Sequence, residues 1–237
     1  MAHVIFITAA GSSAGKTLLT GMCVSMLLAA GKRAIAIKPF CTGSHRDVDL
    51  LYRVQGGSVP KEVINPFFAA EPAAPLIAMR RKRKSITFND VNRHIDALSR
   101  QCDWLLIEGA GGLLTPLGDG FDLEDLVGSR KSGVLVVARN RLGVIGHSRL
   151  VIRSLEKQPK RQIGLVLMGT AGEDLATRTN ASILRELLQN LRIFALPYFG
   201  KQVTRSAVGV QGIAKKMEKT LAQIIRVASL SPALVTE

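Results

Sequence analysis

Short runs of consecutive apolar residues alternate along this chain with longer segments in which apolar residues recur at helical spacing. Unbroken apolar strands between helices are typical of a parallel sheet covered on both faces. The pattern therefore predicts an α/β fold. The predicted strands lie at residues 4–7, 34–37, 104–107, 134–138 and 163–167, and the predicted helices follow residue 17 and span 88–98, 143–157, 175–191 and 210–227.

Residues 64–75 and the last ten residues depart from this alternation. Residues 64–75 contain three prolines, so they are predicted to form a shaped loop without regular structure. The chain has 237 residues, of which 47% are hydrophobic, and this suffices for one domain with a sizeable core. We expect a single domain over residues 1–227 and a loose tail at 228–237.

The first predicted strand leads into a loop of small residues followed by Gly15-Lys16-Thr17. Small residues let backbone N–H groups curl around a phosphate, and the start of the next helix adds the positive end of its dipole. Lys16 could reach the outer phosphates, and the Thr17 hydroxyl could ligate magnesium. The segment thus predicts a P-loop whose nucleotide-binding residues are Ser12, Ser13, Ala14, Gly15, Lys16 and Thr17.

This P-loop departs from the usual pattern at one position. The pattern G-x-x-x-x-G-K-[ST] requires glycine where Ala10 stands, and Gly11 comes one place late. Residues 11–15 also fit G-x-S-x-G, the nucleophile elbow of hydrolases. The elbow needs several strands before it and an oxyanion loop, and it leaves Lys16 and Thr17 without a role. Nucleotide binding is therefore the favoured interpretation.

Charged side chains follow two of the predicted strands. Lys38 follows the second strand and Glu108 follows the third, where glycines at 109, 111 and 112 allow a ligand to approach the backbone. Because the carboxyl ends of parallel strands form the ligand-binding edge of such sheets, both side chains are expected in the site. Asp47 and Asp49 open the helical run after Arg46. Two acids there could simply favour the helix dipole, but in a phosphate-binding enzyme a carboxylate at this place is also a natural magnesium ligand.

Charge and cysteine content add little to this picture. Lysine and arginine outnumber aspartate and glutamate by 32 to 18, giving a formal net charge of +14. The one dense basic run, residues 80–84, is interpreted as a solvated loop, with a nucleic acid or an acidic protein as alternative partners. Three scattered cysteines indicate reduced thiols, and no apolar run reaches membrane-spanning length. A soluble cytoplasmic protein without a membrane partner is expected.

Over about 200 residues the sequence resembles the dethiobiotin synthetase family, P-loop enzymes that close a ureido ring on a diamine with carbon dioxide and ATP. The P-loop alone defines only a superfamily, whereas the proline-rich loop and the glycine-rich turn, in order and at matching spacing, are far more specific. The resemblance is carried by Ala14-Gly15-Lys16-Thr17, Lys38-Pro39, Thr42-Gly43-Ser44, Asp49, Asn65-Pro66, residues 70–75 and 108–112, Pro116-Leu117 and Leu142-Gly143.

The resemblance implies a homodimeric, magnesium-dependent ligase that acts on 7,8-diaminopelargonate in biotin biosynthesis. An amine of the substrate captures carbon dioxide, the resulting carbamate attacks the γ-phosphate, and the second amine displaces phosphate to close the ring. Magnesium and two lysines would neutralise the repelling charges. The implied metal ligands are Thr17, Asp49 and Glu108. The implied catalytic residues are Lys16, Lys38 and Thr42, and the implied substrate-binding residues are Lys38, Thr42, Gly111, Gly112 and Gly146.

This chain departs from the family pattern at both recognition ends and in the P-loop. Gly11 and Ser13 stand where acidic residues are common. Met168 replaces an asparagine that reads the adenine edge, so Met168 and Pro197 are the predicted base-binding residues and base discrimination is expected to be poor. Gly146 replaces an asparagine that holds the substrate's carboxylate across a dimer interface.

Two alternatives follow from these departures. The first is a ligase of the same architecture that acts on a different amine or acid, which Gly146 favours. The second is a nucleotide-switched ATPase of the partitioning kind, which dimerises on ATP and binds DNA through its basic surface. Such switches often carry a second lysine early in the P-loop, where this chain has Gly11, and they give Lys38 no evident role.

Overall fold

The structure is a computed structural model that describes residues 2–157, 162–203 and 206–229. Its centre is a sheet of six strands. These strands are β1 (His3–Ala9), β2 (Ala34–Ile37), β5 (Trp104–Glu108), β8 (Gly133–Arg139), β9 (Gln162–Met168) and β10 (Arg192–Leu196). Their order in the sheet is β10-β9-β8-β1-β5-β2, and every neighbouring pair is parallel. The predicted parallel α/β fold is therefore confirmed.

Helices cover both faces of this sheet and enclose two apolar cores. The larger helices on one face are α1 (Lys16–Ala29), α2 (Arg46–Val54), α9 (Ala207–Lys216) and α10 (Glu218–Ala228). The other face is covered by α5 (Phe88–Ser99), α6 (Leu123–Gly128), α7 (Val144–Glu156) and α8 (Leu175–Leu187). Among the described residues, none of these helices has the length and apolarity of a membrane span.

Short elements complete the fold near the carboxyl ends of the central strands. Two small sheets pair β3 with β4 in parallel and β6 with β7 antiparallel. These elements are β3 (Phe40–Thr42), α3 (Lys61–Ile64), β4 (Phe67–Ala69), α4 (Pro75–Arg81), β6 (Pro116–Gly118) and β7 (Phe121–Asp122).

Two segments predicted to be loops contain regular structure. Segment 64–75 is not wholly irregular, because β4 pairs with β3 there and uses the backbone groups between the prolines. The basic run at 80–84 is not only a solvated loop: Arg80 and Arg81 close α4 and form ion pairs with Asp119 and Glu71.

Several predicted element boundaries in the last third of the chain were wrong, and one strand was missed. The helix predicted at 210–227 is two helices that meet at Met217, and α8 ends at Leu187. Strand β10 was missed because it begins with a charged residue and is partly exposed. Of the predicted tail, Ala228 ends α10 and residues 230–237 lie outside the described residues.

The topology places one loop at the centre of the molecule. Strand β1 lies between β5 and β8, and the chain leaves β1 directly into the P-loop and α1. Ligands of open α/β sheets bind outside the carboxyl ends of the strands where the strand order reverses. A ligand site is therefore expected at the carboxyl ends of β1, β2 and β5.

Gly133 at the start of β8 provides a test of the packing of α10 against the sheet. A Cβ atom there would lie 1.7 Å from the carbonyl oxygen of Ala228, so the backbones would have to separate. We expect Gly133→Ala to lower the free energy of unfolding by about 1–3 kcal/mol, the usual cost of overpacking. Urea denaturation followed by circular dichroism would measure it.

Gly212 in α9 is the matched control, because a Cβ atom there meets nothing within 4 Å. Gly212→Ala should raise the free energy of unfolding by roughly 0.5–1 kcal/mol through the higher helix propensity of alanine. Equal effects of the two substitutions would contradict the close contact between β8 and α10.

Candidate functional site

A cleft of about 980 Å³ opens at the carboxyl ends of β1, β2 and β5. Its volume is at the upper end of the range of ligand pockets. The P-loop, α2 and the turn after β5 form its walls. It brings together residues 12–17 with Lys38, Thr42, Asp49, Glu108 and Gly111, all of which the sequence singled out.

The P-loop has the backbone of an anion-binding site. Gly11, Ser13 and Gly15 have φ angles of 147°, 53° and 101°, so the chain turns repeatedly and its N–H groups can converge. Gly15 caps α1 without a side-chain hydrogen bond, which leaves the N–H groups of the first turn for a ligand. Ala10 instead donates its N–H to Val137 O at 3.0 Å. Ala10 thus prolongs the pairing of β1 with β8, and Gly11 makes the first turn of the loop.

Lys16 lies across the cleft from the glycine-rich turn. Its Nζ donates a hydrogen bond to Gly111 O at 2.8 Å, and the residue is 8% exposed. Burial lowers the pKa of Lys16, although Glu108 opposes this shift. Gly111 has a φ of 73°, and a Cβ atom there would lie 2.4 Å from Thr115 Oγ1. A larger residue at 111 would therefore displace the carbonyl that holds Lys16.

Glu108 is the centre of a buried network of polar side chains. Its Oε1 accepts hydrogen bonds from Thr17 Oγ1 at 2.7 Å and from Lys38 Nζ at 2.8 Å. Lys38 also pairs with Asp47. Burial alone would lower the pKa of Lys38, but the charges of Glu108 and Asp47 outweigh this and raise it. Lys38 is therefore a permanent cation in the free protein.

Asn65 holds the backbone that carries Lys38. Its Nδ2 donates to Lys38 O at 2.8 Å and to Pro39 O at 3.0 Å, and Ile64 O accepts from Lys38 N at 2.9 Å. The proline-rich loop is thus bonded to the end of β2. The sequence signalled this loop through its Asn-Pro motif but gave no indication of the partner atoms.

The two acids of α2 have different surroundings. Asp49 Oδ1 pairs with Lys61 Nζ at 2.6 Å, at the edge of the cleft. Asp47, which the family resemblance did not include among the metal ligands, contacts Lys38 and so joins the network around Glu108. The only signal for Asp47 in the sequence was its position in the first turn of α2, which it shares with Asp49.

The side-chain oxygens of Thr17, Asp47 and Glu108 fit a magnesium ion that takes its remaining ligands from phosphate and water. Glu108 Oε2 is buried and has no hydrogen-bond partner among the described residues, so one carboxylate oxygen lacks a partner. In the described ranges no cluster of three or more histidine, cysteine or acidic side chains could hold a metal ion by itself. Magnesium commonly binds through one or two carboxylates plus substrate phosphates. Thr17, Asp47 and Glu108 meet that requirement.

Gly112, Gly146, Met168 and Pro197 do not line the cleft. Gly112 follows the cleft residue Gly111, and its N–H donates to Thr115 Oγ1 at 2.9 Å. Gly146 is exposed in the first turn of α7, where a Cβ atom would meet nothing within 4 Å. Met168 is only 5% exposed and packs beneath the P-loop, 3.1 Å from the Cβ position of Gly15. Met168 therefore does not present the open apolar surface that the sequence suggested.

The fold and the cleft define a P-loop nucleotide-binding protein. The AAA domain family model matches residues 3–204. A plasmid partition protein from Borrelia burgdorferi bound to AMPPNP superposes with a TM-score of 0.63 at 12% identity, covering 95% of this chain and 98% of that one. The pNOB8 ParA structure gives a TM-score of 0.59 at 16% identity, covering 96% and 98%. These two likenesses concern the fold alone.

Curated relatives specify the family more closely. The ATP-dependent dethiobiotin synthetase of Anaeromyxobacter sp. (strain Fw109-5) is 36% identical over 69% of this chain and 73% of its own length. Synthetase BioD 1 of Escherichia coli O157:H7 is 31% identical over 74% and 79%. The chain belongs to the ATP-dependent dethiobiotin synthetase family and is an ATP-binding ligase, which decides against the nucleophile elbow.

The ion pair between Lys38 and Glu108 can be tested in the free protein. Lys38→Met would remove the cation that is hydrogen-bonded to the Glu108 carboxylate, whose side chain is 0% exposed. We expect this change to lower the free energy of unfolding by about 3–5 kcal/mol, the usual cost of breaking a buried pair. Urea denaturation would measure it.

The double variant Lys38→Met/Glu108→Gln removes the uncompensated charge. It should recover much of the lost stability, because an amide costs far less to bury than a carboxylate. If the double variant lost as much free energy of unfolding as the two single substitutions lose together, the two side chains would not interact.

Proposed function

We propose that this enzyme closes a ureido ring on 7,8-diaminopelargonate with carbon dioxide, converting ATP to ADP and phosphate. Family membership supports the reaction class. The observation that supports the chemistry best is the convergence of Lys16 and Lys38 in one cleft with Glu108 and Asp47. A cleft that binds both a triphosphate and a carbamate must place cations between two anions. A cytoplasmic location would suit this biosynthetic role and stays a prediction.

Each residue of the network has a role in this proposal. The P-loop N–H groups hold the β- and γ-phosphates, and Lys16 moves from Gly111 O to the γ-phosphate when nucleotide binds. Lys38 neutralises the carbamate as the carbamate oxygen attacks the γ-phosphorus, the bond from that phosphorus to the β,γ-bridging oxygen breaks, and ADP leaves. Thr42, at the end of β3 in the same cleft, orients the diamine. The second amine then attacks the carbonyl carbon, phosphate leaves, and the urea ring closes.

We infer that magnesium is held by Thr17, Glu108 and Asp47. Asp47 takes the place of Asp49 in the expected set, because Asp47 is joined to Glu108 through Lys38 whereas Asp49 is bound to Lys61. Bound magnesium would neutralise charge on the phosphates. Lys38, which pairs with both carboxylates, would thus be held beside the phosphates.

Nucleotide base recognition and dimer formation remain proposals. The base is proposed to lie at the ends of β9 and β10, near Met168 and Pro197. Gly169 allows these ends to touch, since a Cβ atom there would lie 2.6 Å from Tyr198 N. The Gly146 backbone could contact only a substrate bound in a second copy of the chain, as a homodimer would allow. A DNA-binding role stays an unfavoured alternative.

Incubation with diaminopelargonate, bicarbonate, magnesium and a panel of nucleotides tests the reaction directly. We expect a product of dethiobiotin mass, formed in equal amount with nucleoside diphosphate and phosphate. Nucleotide hydrolysis that does not depend on the diamine would contradict the proposal. Turnover with another amine would instead indicate a ligase of the same architecture with a different substrate.

Lys16 should act on charge that develops during phosphoryl transfer. Lys16→Ala is expected to lower turnover by roughly 10²- to 10³-fold while the circular dichroism spectrum is retained. Lys32→Ala, at an exposed position after α1, is the matched control and should leave turnover unchanged. Near-normal turnover of Lys16→Ala would refute the assignment of the phosphate site.

The two acids of α2 can be separated by magnesium titration of turnover. Asp47→Asn should raise the magnesium concentration for half-maximal rate about tenfold or more, because a charged ligand is lost. Asp49→Asn should shift it much less, since that carboxylate pairs with Lys61. The reverse order of effects would restore Asp49 as the ligand.

A further inference from the structure

The first residue of α2 is a cation in the cleft to which the proposed chemistry gives no role. Arg46 is exposed and lines the cleft together with the P-loop. Within the residues that the structure describes, its side chain has neither a hydrogen bond nor an ion pair. The two acids of the same helix are engaged elsewhere, since Asp47 pairs with Lys38 and Asp49 pairs with Lys61. Arg46 is therefore available to an anionic ligand.

A cation at this position is unfavourable for the helix that it begins. The N-terminus of a helix carries the positive end of the dipole, so acidic side chains are favoured in the first turn and cations are not. Asp47 and Asp49 follow this preference, whereas Arg46 violates it. Violations of a local preference are expected at functional sites. The position of Arg46 is thus explained by ligand binding better than by the stability of α2.

The backbone that carries Arg46 is held in place by the proline-rich loop. Gly43 N donates a hydrogen bond to Ala69 O at 3.0 Å. The ring of His45 stacks on the ring of Phe68, with the two ring centroids 3.5 Å apart. α2 therefore begins at a defined place in the cleft. A cation on such a fixed support suits electrostatic catalysis, because little has to rearrange when charge develops on the ligand.

The paired side chains at the reacting end of the cleft have no net charge. The positive charges of Lys16 and Lys38 are matched by the negative charges of Glu108 and Asp47. A triphosphate and a carbamate would add more negative charge than one divalent magnesium ion neutralises. Arg46 precedes Asp47 in the chain, and its extended side chain spans roughly 6 Å, from bonds of about 1.5 Å. Its guanidinium can therefore reach anionic groups bound beside Lys38.

We propose that the Arg46 guanidinium binds the γ-phosphoryl group during its transfer to the carbamate, as a third cation beside Lys16 and Lys38. This inference rests on the proposed function and adds a catalytic residue to it. In this step the carbamate oxygen bonds to the γ-phosphorus, the bond from that phosphorus to the bridging oxygen breaks, and ADP leaves with the electron pair. The transferring group carries its charge on three oxygens. A guanidinium can bind two of them through parallel hydrogen bonds.

The test separates a contact with the phosphoryl group from a general effect of charge in the cleft. Arg46→Gln and Arg46→Lys are compared with the wild type and with Arg53→Gln. Arg53 lines the same cleft but lies two turns further along α2, about 10 Å along the helix axis. Arg100→Gln, at an exposed position after α5, is the matched control. With diaminopelargonate, bicarbonate, magnesium and ATP, rapid quench gives the single-turnover rate of ADP formation, and steady-state assays give kcat and KM.

We expect Arg46→Gln to lower kcat and the single-turnover rate of ADP formation by roughly 10²-fold. KM for ATP and for the diamine should change little, because the contact is made chiefly in the transition state. Arg46→Lys should be intermediate, since an ammonium keeps the charge but loses the paired hydrogen bonds. Arg53→Gln should have a much smaller effect, because solvent weakens charge interactions over this distance. Arg100→Gln should behave as the wild type.

Urea denaturation distinguishes catalysis from a structural role of Arg46. Arg46→Gln removes an unfavourable cation from the start of α2. The variant should therefore unfold at the same urea concentration as the wild type or at a higher one, although its turnover is impaired. A residue that only supports the fold would lower both quantities.

Three results would overturn the inference. The rate of ADP formation in Arg46→Gln could stay near that of the wild type, or fall equally in Arg46→Gln and Arg53→Gln, or fall together with the urea concentration at half-unfolding. In each case the wild type still turns over diaminopelargonate, so the proposed function stands. A wild type that forms no product from diaminopelargonate would refute the proposed function itself, and the assignment of Arg46 would fall with it.

Discussion

The site depends on the burial of Lys38 between two carboxylates. Strand register produces this arrangement, because Ile37 of β2 pairs with Ile107 of β5 and the next residues of both strands are Lys38 and Glu108. A lysine and a glutamate that leave neighbouring parallel strands at one level must lie side by side. Neither charge could be buried alone at an acceptable cost. The ion pair therefore links the end of the edge strand β2 to its neighbour β5.

The elements around this pair maintain its geometry. Asn65 bonds the carbonyls of Lys38 and Pro39, which ties the proline-rich loop to the end of β2. Thr17 reaches Glu108 from the first turn of α1, so the helix that begins the P-loop is joined to the strand that carries the acid. In the free protein most polar side chains of the site thus bond to one another, and Glu108 Oε2 is left without a partner among the described residues. A nucleotide and a metal would replace these internal contacts with contacts to phosphate.

The P-loop is supported by residues of the two strands β8 and β9. Gly15 lies over the side chain of Met168, and Ala10 continues the pairing of β1 with β8 through Val137. The glycine at position 11 is therefore sufficient for the first turn of the loop, and alanine at position 10 is compatible with phosphate binding. Met168 contributes packing under the loop and leaves base recognition to other atoms at the ends of β9 and β10.

The fold class, the P-loop and most of the cleft residues could be predicted from the amino-acid sequence alone. Apolar runs, helical spacing and Gly15-Lys16-Thr17 act through neighbours in the chain, and the residues after parallel strands necessarily meet at one edge of the sheet. The three-dimensional fold was needed to show that Asp47 joins Glu108 through Lys38, that Met168 is covered and that Arg53 lines the cleft. The edge strand β10 and the pairing of β3 with β4 were likewise decided by tertiary contacts. In each case the deciding partner comes from a distant segment, so no local pattern could specify it.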